Sequence, residues 1–139
     1  MSPDTIRRVR ERAAELCEYC QLPSALHPAP FQIDHIIAKQ HGGGDSLDNL
    51  ALACMRCNRH KGPNVAGIDS ETGELTRLFN PRADNWNSHF RWARSNPTGS
   101  EIIALSQIGR VTVSVLFMND PEVVWLRSTL AEENASSGR

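Results

Sequence analysis

Two Cys-x-x-Cys pairs, Cys17-Glu18-Tyr19-Cys20 and Cys54-Met55-Arg56-Cys57, bracket a polar segment that holds Asp34, His35 and Asn49. The second pair runs straight into Asn58-Arg59-His60-Lys61-Gly62. One such pair is a weak signal, whereas two point to a four-thiolate metal site. Thiolates at this spacing suit tetrahedral zinc, and sulfur in all four positions closes the coordination sphere. Cys17, Cys20, Cys54 and Cys57 are therefore expected to form a structural zinc site, with iron as the second choice for the same ligands. Disulfides and unliganded buried thiols are the alternatives. The stretch between the pairs, residues 21–53, is longer than an ordinary zinc-ribbon insert, as expected if the staple holds a loop that carries chemistry.

That loop has the residue types for phosphodiester hydrolysis, which needs an activated water and a group that absorbs charge on the phosphate and the leaving oxygen. The imidazole of His35 titrates near working pH and suits a general base. Asp34 offers a hard oxygen for Mg2+ or Mn2+, and Asn58 a second, neutral one. Arg56, Arg59 and Lys61 are candidate phosphate contacts beside them, with Arg91 and Arg94 extending the track. Taken singly, each has an ordinary reading: Asp34-His35 a surface pair, Asn49 a turn residue, Asn58 a helix cap, the basic residues a solvated face. Their order between the cysteines favours the joint reading. His60 is a second choice for the ligand at Asn58, His41 a solvent-facing or phosphate-adjacent residue, His27 a structural one, and His89 an ordinary hydrogen-bonding residue with the active-site edge as its alternative. Adjacent strand residues point to opposite faces, so Asp34 and His35 share a site only if the strand bends or ends there.

The run Asp34-His35, Asn49-Leu50 and Cys57-Asn58-Arg59-His60-Lys61-Gly62 resembles the HNH nuclease motif. More loosely, Leu78–Arg82, Trp86, His89-Phe90, Trp92, Ile108–Arg110 and Met118-Asn119 resemble the C-terminal extension of a bacterial HNH subgroup. The resemblance implies a ββα-metal fold around one catalytic divalent ion, often stapled by four cysteines. It implies DNA as substrate, with 5′-phosphate and 3′-hydroxyl products; RNA stays open. It makes Asn49 the middle asparagine, holding the loop and orienting His35. Where the family often has histidine this chain has Asn58, which tilts preference toward hard cations such as Mg2+.

Short elements must position these groups. Residues 4–16 read as a helix capped by Asp4, with Ile6, Val9, Ala13 and Leu16 on one face. Residues 31–37 and 50–53 read as strands flanking a glycine-rich loop, and Cys57 starts a short helix that stops at Gly62-Pro63. Residues 64–76 read as a turn-rich connection, and 88–93 with 101–105 as a second hairpin. Residues 107–118 fit helix and strand about equally; we read helix, with Gly109 and the β-branched residues against it. Pro121 suits a helix start, and residues 132–139 read as a frayed tail. Trp86, Phe90 and Trp92 are expected in the core rather than stacked on bases.

The fold class expected is α+β: an HNH-like core over 1–66 and an extension over 67–139 in one domain. Across 139 residues, 40% hydrophobic with net charge -1, there is no global basic field for coating nucleic acid. A nucleic-acid role must use local charge, with low selectivity or a targeting partner protein. No signal-like or membrane-spanning run is visible, so a cytoplasmic location, with metal preferred over disulfide, is the expectation. A non-catalytic zinc-ribbon binding module and a redox or iron-binding thiolate protein are the rivals to a nuclease.

Overall fold

The computed structural model describes residues 1–26, 29–93 and 101–128. These residues form a mixed assembly of short helices and three two-stranded antiparallel hairpins. The first helix, α1 (Pro3–Arg12), is capped by Ser2, whose Oγ accepts from the Thr5 amide at 3.1 Å, with Pro3 in its first turn. It ends before the expected Leu16. Ala14 and Glu15 turn left-handed at φ 54° and 59°, and Leu16 leaves the helical face for an isolated bridge to Pro23. That turn delivers Cys17 to the first knuckle, where the Cys17 amide donates to the Leu22 carbonyl at 2.9 Å. Arg12, at the helix end, donates to the carbonyls of Leu47 and Leu50 at 2.9 and 2.7 Å, tying α1 to the next hairpin.

Strands β1 (Gln32–His35) and β2 (Leu50–Ala53) pair with Asp34 opposite Ala51 and His35 opposite Leu50. All four β2 residues are buried, so this small-and-large Leu-Ala-Leu-Ala run is covered on both faces. β1 is shorter than the expected 31–37 because its ladder stops at His35. Beyond it, Ile37 pairs with the Asn49 side chain instead of a strand. Helix α2 (Met55–Lys61) begins two residues before the expected Cys57, since Cys54 caps it through a 3.4 Å contact from the Cys57 amide to its sulfur. The helix packs on both strands.

Residues 64–76 contain a hairpin where only a connection was expected: β3 (Ala66–Ile68) and β4 (Leu75–Arg77). Its three-residue strands, Ala-Gly-Ile and Leu-Thr-Arg, are too short to show an alternating pattern. Tertiary packing makes it: a Cβ on Gly67 would lie 2.9 Å from both Val111 and Val115, so a bare backbone lets the later helix settle on the strand. After α3 (Trp86–His89), strands β5 (Phe90–Trp92) and β6 (Ile102–Ala104) pair as the expected second hairpin. Helix α4 (Gln107–Val115) settles the ambiguous segment. Gly109, which counts against a helix by propensity, is needed there, since a Cβ would stand 2.3 Å from the His89 carbonyl oxygen. Residues 121–128 are helical, as Pro121 suggested. His27, Arg94, the 95–100 loop and the 132–139 tail lie outside the described residues.

The core joins the cysteine knuckles, β2 and an aromatic group from the later chain. Tyr19 meets Phe79 edge-on at 6.5 Å, Phe79 meets Phe90 at 5.2 Å, and Trp86 tilts against Phe90 and Trp92. Phe90 is fully buried and Trp86 and Trp92 pack against the core, as expected of them.

Gly43 carries a prediction. A Cβ there would sit 1.7 Å from the Ile37 carbonyl oxygen and 2.8 Å from Asn49 Nδ2, and the first of these is backbone that cannot swing aside. Gly43→Ala is expected to cost roughly 1–3 kcal/mol through overpacking, read as a lowered midpoint in chemical denaturation.

Candidate metal centre and adjoining cleft

The four cysteines converge. Their sulfurs lie within 4.8 Å of one another, all buried and none in a disulfide. Cys20 and Cys54 sulfurs stand 3.8 Å apart, about the edge of a tetrahedron with metal–sulfur bonds of roughly 2.3 Å and far beyond a disulfide bond. Backbone amides of Cys20 and Cys57 point at the sulfurs of Cys17 and Cys54, at 3.5 and 3.4 Å. Contact with the sulfurs of Cys17, Cys20 and Cys54, reinforced by burial, holds the Cys57 thiol well above its usual pKa. Cysteine ligates a metal as the thiolate, so metal binding releases protons. The donor set fits zinc and leaves no ligand position for a substrate.

Beside the cluster, an open cleft of about 390 Å³ is lined by Asp34, His35, Lys39, Gln40 and Asn58 among others. Three of the residues expected to act together, Asp34, His35 and Asn58, thus border one concavity. Strand alternation does separate Asp34 from His35: the first is 4% exposed and faces inward, the second is half-buried. Both reach the cleft because β1 ends at His35.

Lys61 holds that end. Its side chain is only 2% exposed, and its Nζ donates to the carbonyls of His35 and Ile36 at 3.1 and 3.0 Å and pairs with Asp34 at 3.2 Å. Expected as a surface phosphate contact, Lys61 is instead a buried brace; its four-carbon stem runs back under the hairpin rather than outward. Asp34 Oδ2 also accepts the Tyr19 hydroxyl at 2.6 Å. Burial pushes the Asp34 carboxyl up from its ordinary value, against the pull of Lys61 and Tyr19. Burial and the Asp34 charge together push the Tyr19 phenol well up. Of the carboxylate's four or so lone-pair sites, Tyr19 takes one on Oδ2 and Lys61 one on Oδ1, leaving one on each oxygen. Asn58 donates through Nδ2 to Gln32, and its Oδ1 has no partner among the described residues. Both side chains therefore have hard oxygen available, the kind of donor a Mg2+ or Mn2+ ion takes.

Asn49 stays out of the cleft lining. Its carboxamide clasps the loop, accepting from the Ile37 amide at 2.9 Å and donating to the carbonyls of Ile37 and Gly44 at 3.0 and 2.9 Å. It makes no hydrogen bond to His35. The partner of His35 is Asp45, a residue the sequence reading passed over, whose Oδ1 lies 2.7 Å from His35 Nε2 and 3.4 Å from Lys39 Nζ. The His35 bond, with help from Lys39, lowers the Asp45 pKa. Only its place at the far end of a glycine-rich loop hinted at Asp45, and nothing in a string of residues shows where that loop folds back.

Arg56 pairs with Asp120 at 3.0 Å and is mostly covered, while Arg59 is exposed with no ion-pair partner among the described residues. Lys39, 64% exposed, adds a cation at the cleft rim. His60 turns away from the cleft and lies against Phe117, ring centres 4.9 Å apart. His89 Nδ1 bonds Ser106 Oγ at 2.6 Å, and exposed Arg91 donates to the Trp92 carbonyl.

Residues 17–64 match the family model for HNH endonuclease, which spans both knuckles, the first hairpin, α2 and the cleft residues. No curated protein and no solved structure matches the chain. No helix among the described residues is long and apolar enough to cross a membrane.

Two substitutions test this arrangement. Cys54→Ala removes one ligand and the cap of α2, so it should abolish stoichiometric zinc and melt the hairpin, read by metal analysis and circular dichroism. Lys61→Met keeps most of the stem but strands Asp34 without its cation. Breaking a buried pair from one side costs about 3–5 kcal/mol, so equilibrium unfolding should show a loss of that order with zinc still bound.

Proposed function

We propose, from the HNH endonuclease match over residues 17–64, that this chain is a metal-dependent endonuclease whose active site is the Asp34–His35–Asn58 cleft. The observation that supports it best is the convergence of those three residues on one concavity beside the four-cysteine cluster. In this reading the cysteines hold structural zinc and the hairpin with α2 forms a ββα-metal core. The extension packs on that core as part of one domain: Trp86 Nε1 donates to the Tyr19 carbonyl at 2.8 Å, and Arg82 pairs with Glu18.

Asp34 and Asn58 would hold one Mg2+ or Mn2+ through oxygen lone pairs that no hydrogen bond among the described residues uses. When bound, such an ion offsets negative charge on the phosphate and the departing oxygen. His35 takes the proton of a water whose oxygen attacks phosphorus in line. The new phosphorus–oxygen bond forms as the bond to the 3′ oxygen breaks, leaving a 5′-phosphate. The departing 3′ oxygen recovers a proton from solvent. Arg59 and Lys39 contact flanking phosphates, and Arg56 joins them only by leaving Asp120. Mg2+ is usually bound by one or two carboxylates plus substrate phosphates. Asp34 already shares its charge with Lys61, so the ion and DNA bind interdependently. With so few exposed cations near the cleft, affinity for DNA is modest and selectivity is low or supplied by a targeting partner.

One observation favours a rival. Lys61 already pairs with Asp34, so the buried carboxylate has a partner without a catalytic ion, as in a non-catalytic zinc module that binds nucleic acid or protein. Supercoiled-plasmid nicking with and without Mg2+ separates the readings, and a parallel RNA substrate settles the nucleic acid. His35→Ala is expected to lower the nicking rate on the order of 10²–10⁴-fold, the usual contribution of a general base, with zinc content and thermal midpoint unchanged. Full activity in that variant would remove His35 from the mechanism, and no Mg2+-dependent nicking by the wild type would leave the binding module.

A further inference from the structure

Resting on the nuclease reading, we propose that Asp45 is a positioning residue for the His35 base: it holds the ring by Nε2 and so presents Nδ1 as the atom that takes the proton. Asp45 Oδ1 and His35 Nε2 are 2.7 Å apart, the length of a charge-assisted hydrogen bond. An ionised carboxylate only accepts, so Nε2 carries the hydrogen of that bond. A neutral imidazole has one bare nitrogen, and here it is Nδ1, which has no hydrogen-bond partner among the described residues. When Nδ1 accepts the proton of the attacking water, the ring becomes an imidazolium that still donates from Nε2. The adjacent carboxylate then stabilises the charge that has formed.

The rest of the loop is arranged to keep Asp45 there. Lys39 Nζ stands 3.4 Å from the same Oδ1. The backbone before Asp45 is fastened twice, by the Gly43 amide to the Ala38 carbonyl at 3.0 Å and by Asn49 Nδ2 to the Gly44 carbonyl at 2.9 Å. Asn49 thus reaches the His35 ring through Gly44 and Asp45, without touching it. Asp45 is exposed, with no part in the core, so its removal leaves folding alone.

The test uses the full chain with zinc, comparing wild type, Asp45→Ala and Asp45→Asn in plasmid nicking with Mg2+ and in 15N NMR of the His35 ring. Asp45→Ala is expected to lower kcat by about 10–100-fold, the usual effect of losing a partner that orients a functional histidine, with KM for DNA near wild type. Asp45→Asn keeps an acceptor oxygen and recovers part of the loss. In the wild-type spectrum at a pH where the ring is neutral, Nε2 should carry the proton and Nδ1 should be bare, and the Nε2 shift should move in Asp45→Ala. An unchanged kcat in Asp45→Ala overturns the proposal, as does a raised one, which would make the contact inhibitory, or a wild-type ring protonated on Nδ1. If His35→Ala is inactive while Asp45→Ala is not, only this inference falls. A wild type that never nicks DNA takes the nuclease reading down and this inference with it.

Discussion

One buried ammonium organises the functional end of this molecule. Lys61 Nζ is out of water, and its three donors go to Asp34 and to the carbonyls of His35 and Ile36. A desolvated cation is stable only with partners of this kind, and the partners are the residues at which β1 stops being a strand. The brace turns a geometric conflict, two adjacent residues that must face one site, into a strand end that presents both.

The same carboxylate connects the cleft to the cysteine cluster. Tyr19 lies between Cys17 and Cys20 in sequence, is fully buried, and gives its hydroxyl to Asp34. Its carbonyl is held by Trp86 and its ring by Phe79. Knuckle, cleft floor and aromatic core therefore meet on one side chain. Displacing the knuckle would pull on Asp34 through a 2.6 Å hydrogen bond, and the later part of the chain braces the knuckle from behind.

Much of this was legible before any coordinates. The doubled Cys-x-x-Cys spacing pointed to one tetrahedral cluster, because two-residue spacers leave sulfurs little choice of direction. Strand β2 followed from apolar pattern, whereas the apolar positions of α4 fitted strand as well as helix; Asp34, His35 and Asn58 were named as a group and border the cleft, while Asn49 holds the loop instead. The β3–β4 hairpin was hidden because its strands are three residues long and expose Ile68 and Leu75 while burying Thr76; what stabilises it is a helix seated on Gly67, a contact from more than forty positions away. Lys61 read as a surface cation because lysine is nearly always one, and only a buried carboxylate across the fold reverses that.

Residue type and spacing by themselves determined the local chemistry: which atoms can ligate, which can take a proton, which turns the backbone can make. Those properties belong to single residues and near neighbours. The tertiary structure alone decided which of these groups are spent on one another. It turned Lys61 inward, gave Asn49 to the loop backbone and His60 to Phe117, and brought Asp45 to His35. A hydrogen bond is a distance between atoms that the chain holds far apart in order, and only the folded path makes that distance short.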